Sequence, residues 1–195
     1  MAGRWRAVGA IAHAAAMTDE AVARTTSFRG HAFRCVPDNG PVELESLVST
    51  DGENDRWNHP GEPTLYLALD PGVAIAEAGR HHEPAADAES CQRLLRLEVA
   101  TDELLDLREP STADALGVDG APFTFLDRDR ARQLASRIRR EGSAKGLIVP
   151  SAAFLDDASR GNLVLFAERA GPVEGVVKDW EEIGRIDVGR AELRG

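Results

Sequence analysis

No stretch of this 195-residue chain stays apolar for the roughly 18 to 20 residues that a bilayer-crossing helix needs. The sequence therefore reads as having no membrane span. The Ala-rich segment from Ala7 to Met17, behind Arg4 and Arg6, has the outline of a signal peptide. Alanine and glycine carry little hydrophobicity, however, and His13 interrupts the run, so a cytoplasmic protein is expected. Cysteine is nearly absent. Cys35 and Cys91 do not make a disulfide framework, and a chain of this length can build its core without one, so both are expected as idle or buried thiols. Positive charge is also short, with 23 Lys and Arg against 33 Asp and Glu and a formal net charge of -10. A protein that grips a phosphate backbone wants a basic face, so direct nucleic-acid binding is not expected. A local arginine cluster inside a cleft is still compatible with that balance.

Several motifs are missing too. There is no G-x-G-x-x-G and no G-x-x-x-x-G-K-[ST], so neither a Rossmann nor a P-loop site is supported. There is no H-E-x-x-H. The nearest approach to a metal set, His81-His82-Glu83, puts adjacent residues on different faces of any helix or strand, so no metal is expected. Without a G-x-S-x-G elbow, Ser151 has no standing as an esterase nucleophile.

What is present is the mix of a globular domain, 43% hydrophobic and 29% charged. Residues 1 to about 25 read as an N-terminal arm and residues 26–195 as one domain. A first strand is expected over Arg29 to Val36, closed by the turn former Pro37-Asp38-Asn39-Gly40. Residues 49 to 63 form a polar loop that carries an isolated Trp57. Thr64 to Leu69 reads as a strand. A helix then runs to about Gly79, with Asp70 as N-cap and Pro71 at the first helical position. Leu94 to Val99 alternates as a strand, with Leu104 to Leu107 as an extension. Leu126, Leu134 and Ile138 give a helix to Glu141, which Gly142 stops. Gly146 to Pro150, Asn162 to Ala167 and Val176 to Ile186 supply further strands. Strands and helices mix without regular βα alternation, so the expected class is α+β.

Polar residues beside these elements are the candidates for chemistry. Arg34 lies near the end of the first strand, Arg56 and Asn58 bracket Trp57, and Tyr66 is mid-strand. Glu77 stands among small apolar residues of a helix, and Ser151 follows Val149-Pro150. Each has a plainer reading. Glu77 belongs either to a solvated helix face or to a buried pairing with a cation. Arg34 fits an edge strand, Trp57 a lid on the core, and Ser151 a turn.

The order and wording of these residues resemble the RES domain, a toxin family of bacterial toxin–antitoxin pairs named for an Arg, a Glu and a Ser. The matching segments are Phe33-Arg34, Arg56-Trp57-Asn58-His59-Pro60-Gly61, Leu65-Tyr66-Leu67-Ala68, Ala74-Ile75-Ala76-Glu77, and Val149-Pro150-Ser151 with Asn162-Leu163-Val164-Leu165-Phe166. The resemblance covers residues 28 to 170. Asn54-Asp55 stand where the family usually carries glycines.

The resemblance implies a fold similar to ADP-ribosyltransferase toxins. It also implies an enzyme that breaks the nicotinamide–ribose bond of NAD+ and passes ADP-ribose to water or inorganic phosphate. NAD+ would be a substrate and phosphate a co-substrate, with no resident cofactor. Glu77, Arg56 and Arg34 would be catalytic, and Arg34, Arg56, Trp57, Asn58, Tyr66 and Ser151 would bind the substrate. An Xre-type antitoxin would be the protein partner, and self-association is left open. Two other readings share the same site: a protein ADP-ribosyltransferase, and a non-catalytic nucleotide-binding module.

Overall fold

A computed structural model describes residues 24–53, 55–80, 91–157 and 159–187. The expectations for the N-terminal arm up to residue 23, for Asn54 and for His81-His82-Glu83 lie outside these ranges.

Seven strands form one sheet: β1 (Thr25–Pro37), β2 (Val48–Ser49), β3 (Thr64–Ala68), β4 (Cys91–Asp106), β5 (Gly146–Pro150), β6 (Gly161–Phe166) and β7 (Val177–Asp187). The helices are α1 (Pro71–Arg80), α2 (Pro110–Ala115), α3 (Arg128–Glu141), α4 (Ala167–Ala170) and α5 (Val173–Val176). Two 3-10 turns lie at Leu44–Leu47 and Phe123–Leu126. The elements mix without βα alternation, as the α+β reading requires. The strand order is β1-β3-β6-β5-β4-β7, with β2 beside β3 and a further pairing of β1 with β4 that closes a circuit.

Strand β4 makes that closure possible through its length. One edge runs antiparallel to β1 from Thr25↔Leu105 to Pro37↔Gln92. The other edge takes β7 along Cys91 to Val99 and then β5, in parallel, at Leu104 to Asp106. The sequence suggests two pieces here because Thr101-Asp102-Glu103 interrupts the alternation. The strand passes through instead, with Glu103 in the left-handed region at φ 55° and its carbonyl accepting from Lys145 N.

The central strands β5 and β6 are apolar at successive positions because both sheet faces are covered. Leu147, Val149, Val164 and Phe166 pack toward α3 with Leu134 and Ile138. Ile148, Leu163 and Leu165 pack on the opposite side with Leu67, Leu95, Leu97 and Val173. Helix α3 begins where its cap allows. The Asp127 carboxylate accepts from the N–H groups of Asp129 and Arg130, satisfying two of the first turn's orphan donors. Helix α1 is capped by Asp70, whose Oδ1 accepts from Val73 N at 3.0 Å. Asp70 also pairs with Arg160 at 3.0 Å, which ties the start of α1 to the turn before β6.

Candidate active site

Helix α1, strands β1 and β3, and the loop from residue 50 to 63 enclose a cavity of about 440 Å³. Arg34, Arg56, Trp57, Tyr66 and Glu77 all line it. Asn58 and Ser151 stand behind its wall, and neither has any exposed surface.

Arg34 shares its strand face with the buried residues Ala32 and Val36, so strand alternation turns it inward. Its Nη1 donates to the Tyr66 carbonyl at 2.9 Å. Burial pushes the guanidinium pKa down, and Asp55, Tyr66 and Cys35 oppose that shift. The neighbouring Cys35 thiol is pushed up to about 11, mainly by burial and against the pull of Arg34. It stays protonated at neutral pH and is no thiolate nucleophile.

The Arg56-Trp57-Asn58 segment divides its work. Arg56 Nη1 donates to the Phe125 and Leu126 carbonyls at 2.8 and 2.7 Å, pinning the loop to the turn before α3. Trp57 is 3% exposed, and its ring tilts against Phe125 with centroids 5.3 Å apart, so it closes the core while edging the cavity. Asn58 Oδ1 accepts from the Tyr66 hydroxyl at 2.6 Å, and that hydroxyl accepts from Trp57 N at 3.0 Å. Tyr66 is thereby fixed at both ends of its phenol, and burial pushes its pKa up. It is a neutral donor.

The loop has a second clamp. Arg132 of α3 donates from Nε to the Asp55 carbonyl at 3.0 Å and from Nη2 to the carbonyls of Glu53 and Gly52. Gly52 has a φ of +69°, and a Cβ there would overlap the His59 carbonyl group and Pro60 N. Only glycine satisfies both conditions.

Glu77 resolves its ambiguity through partners far along the chain. Ser151 Oγ donates to Glu77 Oε1 at 2.8 Å, and Asn162 Nδ2 donates to the same oxygen at 3.3 Å. Among the described residues Oε2 has no protein hydrogen bond, and the carboxylate faces the cavity. Ser151 in turn accepts from Ala153 N at 3.1 Å, which fixes its hydroxyl.

Sequence reasoning did not single out Arg80, Arg128 or Asn162 as site residues. Asn162 enters the sequence reading only as the first residue of a strand, within one of the segments that resemble the RES domain, and with no role of its own. Arg80 and Arg128 carry no local signal, since they are one basic helix-end residue and one exposed arginine in a basic helix. Both line the cavity. Four guanidiniums (Arg34, Arg56, Arg80 and Arg128) thus face two carboxylates (Asp55 and Glu77) in a chain of net charge -10. No group of His, Cys, Asp and Glu among the described residues is placed to hold a metal ion. Nor is any described helix long and apolar enough to cross a membrane.

An α+β domain with a cationic cleft around one oriented glutamate is the class that fold and site define. The chain belongs to the RES domain family, whose profile matches residues 5–185. Among solved structures it is similar to the toxin chain of the M. tuberculosis MbcT–MbcA toxin–antitoxin complex, with a TM-score of 0.57 and 19% identity. That similarity covers 86% of this chain and 94% of the other, and at this identity it speaks to the fold. No curated protein sequence matches the chain.

Proposed function

We propose that this protein is an NAD+-consuming toxin that cleaves the nicotinamide–ribose bond and passes ADP-ribose to water or inorganic phosphate. Membership of the RES domain family supports the reading, and one observation in the site carries it. The Glu77 carboxylate has one oxygen held by Ser151 and Asn162 and the other directed into an arginine-lined cavity. The cavity volume lies within the range of roughly 300 to 1,000 Å³ usual for small-molecule sites.

In this reaction the C–N bond breaks and its electron pair stays on the nicotinamide ring nitrogen, which becomes neutral. The ribose carbon takes on oxocarbenium character, and an anionic oxygen nearby stabilises that charge most in the transition state. Glu77 Oε2 supplies that oxygen. The acceptor oxygen then bonds to the same carbon, and the proton released from water passes to solvent. Arg34 and Arg56 suit the substrate's phosphates, because guanidinium meets such oxygens in a bidentate fork. Tyr66, whose hydroxyl proton is committed to Asn58, offers its ring as a wall against which the sugar or the nicotinamide ring is placed. Ser151 and Asn58 act one step back, through Glu77 and Tyr66.

The partner is a protein of Xre type that covers the cavity, in line with the toxin–antitoxin pairing of the similar M. tuberculosis complex. The protein works in the cytoplasm, where NAD+ is available.

Purified protein is expected to deplete NAD+ and release nicotinamide in equal amounts, and Glu77→Ala to stop both. Omitting phosphate separates the two acceptors. Equal NAD+ survival with the wild type and with Glu77→Ala would sink this reading. Label from NAD+ appearing on a protein instead would redirect it toward macromolecular ADP-ribosylation.

A further inference from the structure

The cavity carries its positive charge in two places. Arg34 is enclosed and committed to the Tyr66 carbonyl. Arg56, Arg80 and Arg128 reach the cavity from three separate elements: the loop before β3, the last residue of α1 and the first residue of α3. Arg80 and Arg128 are both solvent-exposed, so this cluster sits at the mouth. The three are close enough to feel one another. The Arg56 pKa is lowered first by burial and then by Arg80 and Arg128, against Glu77 and Tyr66.

Holding like charges together is unfavourable unless something anionic answers them. The two carboxylates of the cavity answer three clustered guanidiniums and Arg34 only in part. Glu77 already accepts two hydrogen bonds on Oε1, and Asp55 Oδ2 accepts from Ser49. Among the described residues, neither Arg80 nor Arg128 has an ion-pair partner. Arg130, two residues along the same helix, behaves differently: it pairs with Asp127 at 3.4 Å and faces a separate depression. Arg56 spends Nη1 on two carbonyls, which fixes its plane and leaves Nε and Nη2 for a ligand.

We infer that Arg80 and Arg128 complete, with Arg56, a seat for a tetrahedral phosphate group at the mouth of the cavity. Two sources share that chemistry, the pyrophosphate of a dinucleotide and free inorganic phosphate. The choice between them rests on the NAD+ reading above, whereas the seat does not. Planar guanidiniums from three directions can meet three oxygens of one phosphate, which a single lysine-like point charge cannot do.

The test is calorimetric titration of the full chain with pyrophosphate, ADP and inorganic phosphate. It compares wild type, Arg80→Gln, Arg128→Gln, the double variant and Arg130→Gln. All three positions are exposed, so melting temperatures should match the wild type. The double variant should lose about tenfold or more in affinity for at least one probe, as expected when charge-assisted contacts are removed. Each single variant should fall between the two, and Arg130→Gln should bind as wild type does.

Loss for pyrophosphate and ADP assigns the seat to the dinucleotide. Loss for inorganic phosphate alone, with a matching drop in phosphate-dependent turnover, assigns it to the acceptor. A wild type that binds none of the three overturns the inference. So does a double variant no weaker than Arg130→Gln. Wild-type protein that binds pyrophosphate yet leaves NAD+ intact would sink the proposed activity and keep the seat.

Discussion

Ser151 touches nothing in the cavity, yet it holds one oxygen of the carboxylate that does. Its Oγ is fixed by Ala153 N and spends its proton on Glu77 Oε1. A hydrogen bond to a charged acceptor is worth about 1.5 to 3 kcal/mol, which corresponds to roughly tenfold to hundredfold in rate when it acts on the reacting geometry. Ser151→Ala is therefore expected to lower kcat for NAD+ consumption by about that factor while KM moves little. A rise in KM with kcat unchanged would show instead that Ser151 serves ground-state binding. Tyr66 is held as firmly, between Asn58 and Trp57 N. The Arg-Trp-Asn wording thus marks one residue that faces the ligand through its free guanidinium atoms and two that build the wall.

At the scale of elements, the site depends on how one loop and one helix are moored. The loop before β3 is gripped by Arg132, and its turn requires the left-handed backbone of Gly52. Gly52→Ala places a Cβ against the His59 and Pro60 backbone, so it should lower stability by about 1 to 3 kcal/mol in urea denaturation, the range for strain at a special backbone position. It should lower activity as well, because Arg56 and Trp57 move with the loop. Helix α1, which carries Glu77, is moored by Asp70. Burial alone would raise the Asp70 pKa, but the hydrogen bonds from Arg160 and from Val73 N outweigh it and the pKa is lowered. A carboxylate with a depressed folded pKa stabilises the fold above its unfolded value near 3.9 and loses that contribution as pH falls through the folded value. The urea midpoint should therefore fall as pH drops below the unfolded value of about 4, and Asp70→Asn should flatten that part of the profile. An unchanged profile in Asp70→Asn would remove the Asp70–Arg160 pair from the account.

For the whole molecule, two charge distributions compete. The chain as a whole is at -10, whereas its cavity has an excess of arginine over carboxylate. Screening extends over a Debye length of about 10 Å at 0.1 M salt, so distant surface charges are screened before the groups lining a pocket. If the local field controls binding, ADP affinity should fall as salt rises from 50 to about 300 mM. If the net charge controls it, screening relieves repulsion and affinity should rise. The expected sign is the fall, read by calorimetry at several salt concentrations.

Features whose cause is local could be read directly from the chain. The Asp70-Pro71 helix start, the Gly142 stop of α3, the turn after β1 and the alternating strands all depend on residues within a few positions of one another. The α+β class was legible in the same way, whereas the five residues that line the cavity were picked out by the resemblance to the RES domain. Other features were settled by contacts across long separations. Glu77 and Ser151 are 74 residues apart, Arg132 and Asp55 are 77 apart, and only the closed circuit of β1, β3, β6, β5 and β4 brings these groups together. On sequence alone Glu77 was as well explained by a solvated helix face, because pattern records which residue is polar and not what it meets. Arg80 and Arg128 carry no local signal at all. Their shared position beside the cavity follows from where the tertiary fold brings the end of α1 and the start of α3, and charge placed by packing has no imprint in the order of residues.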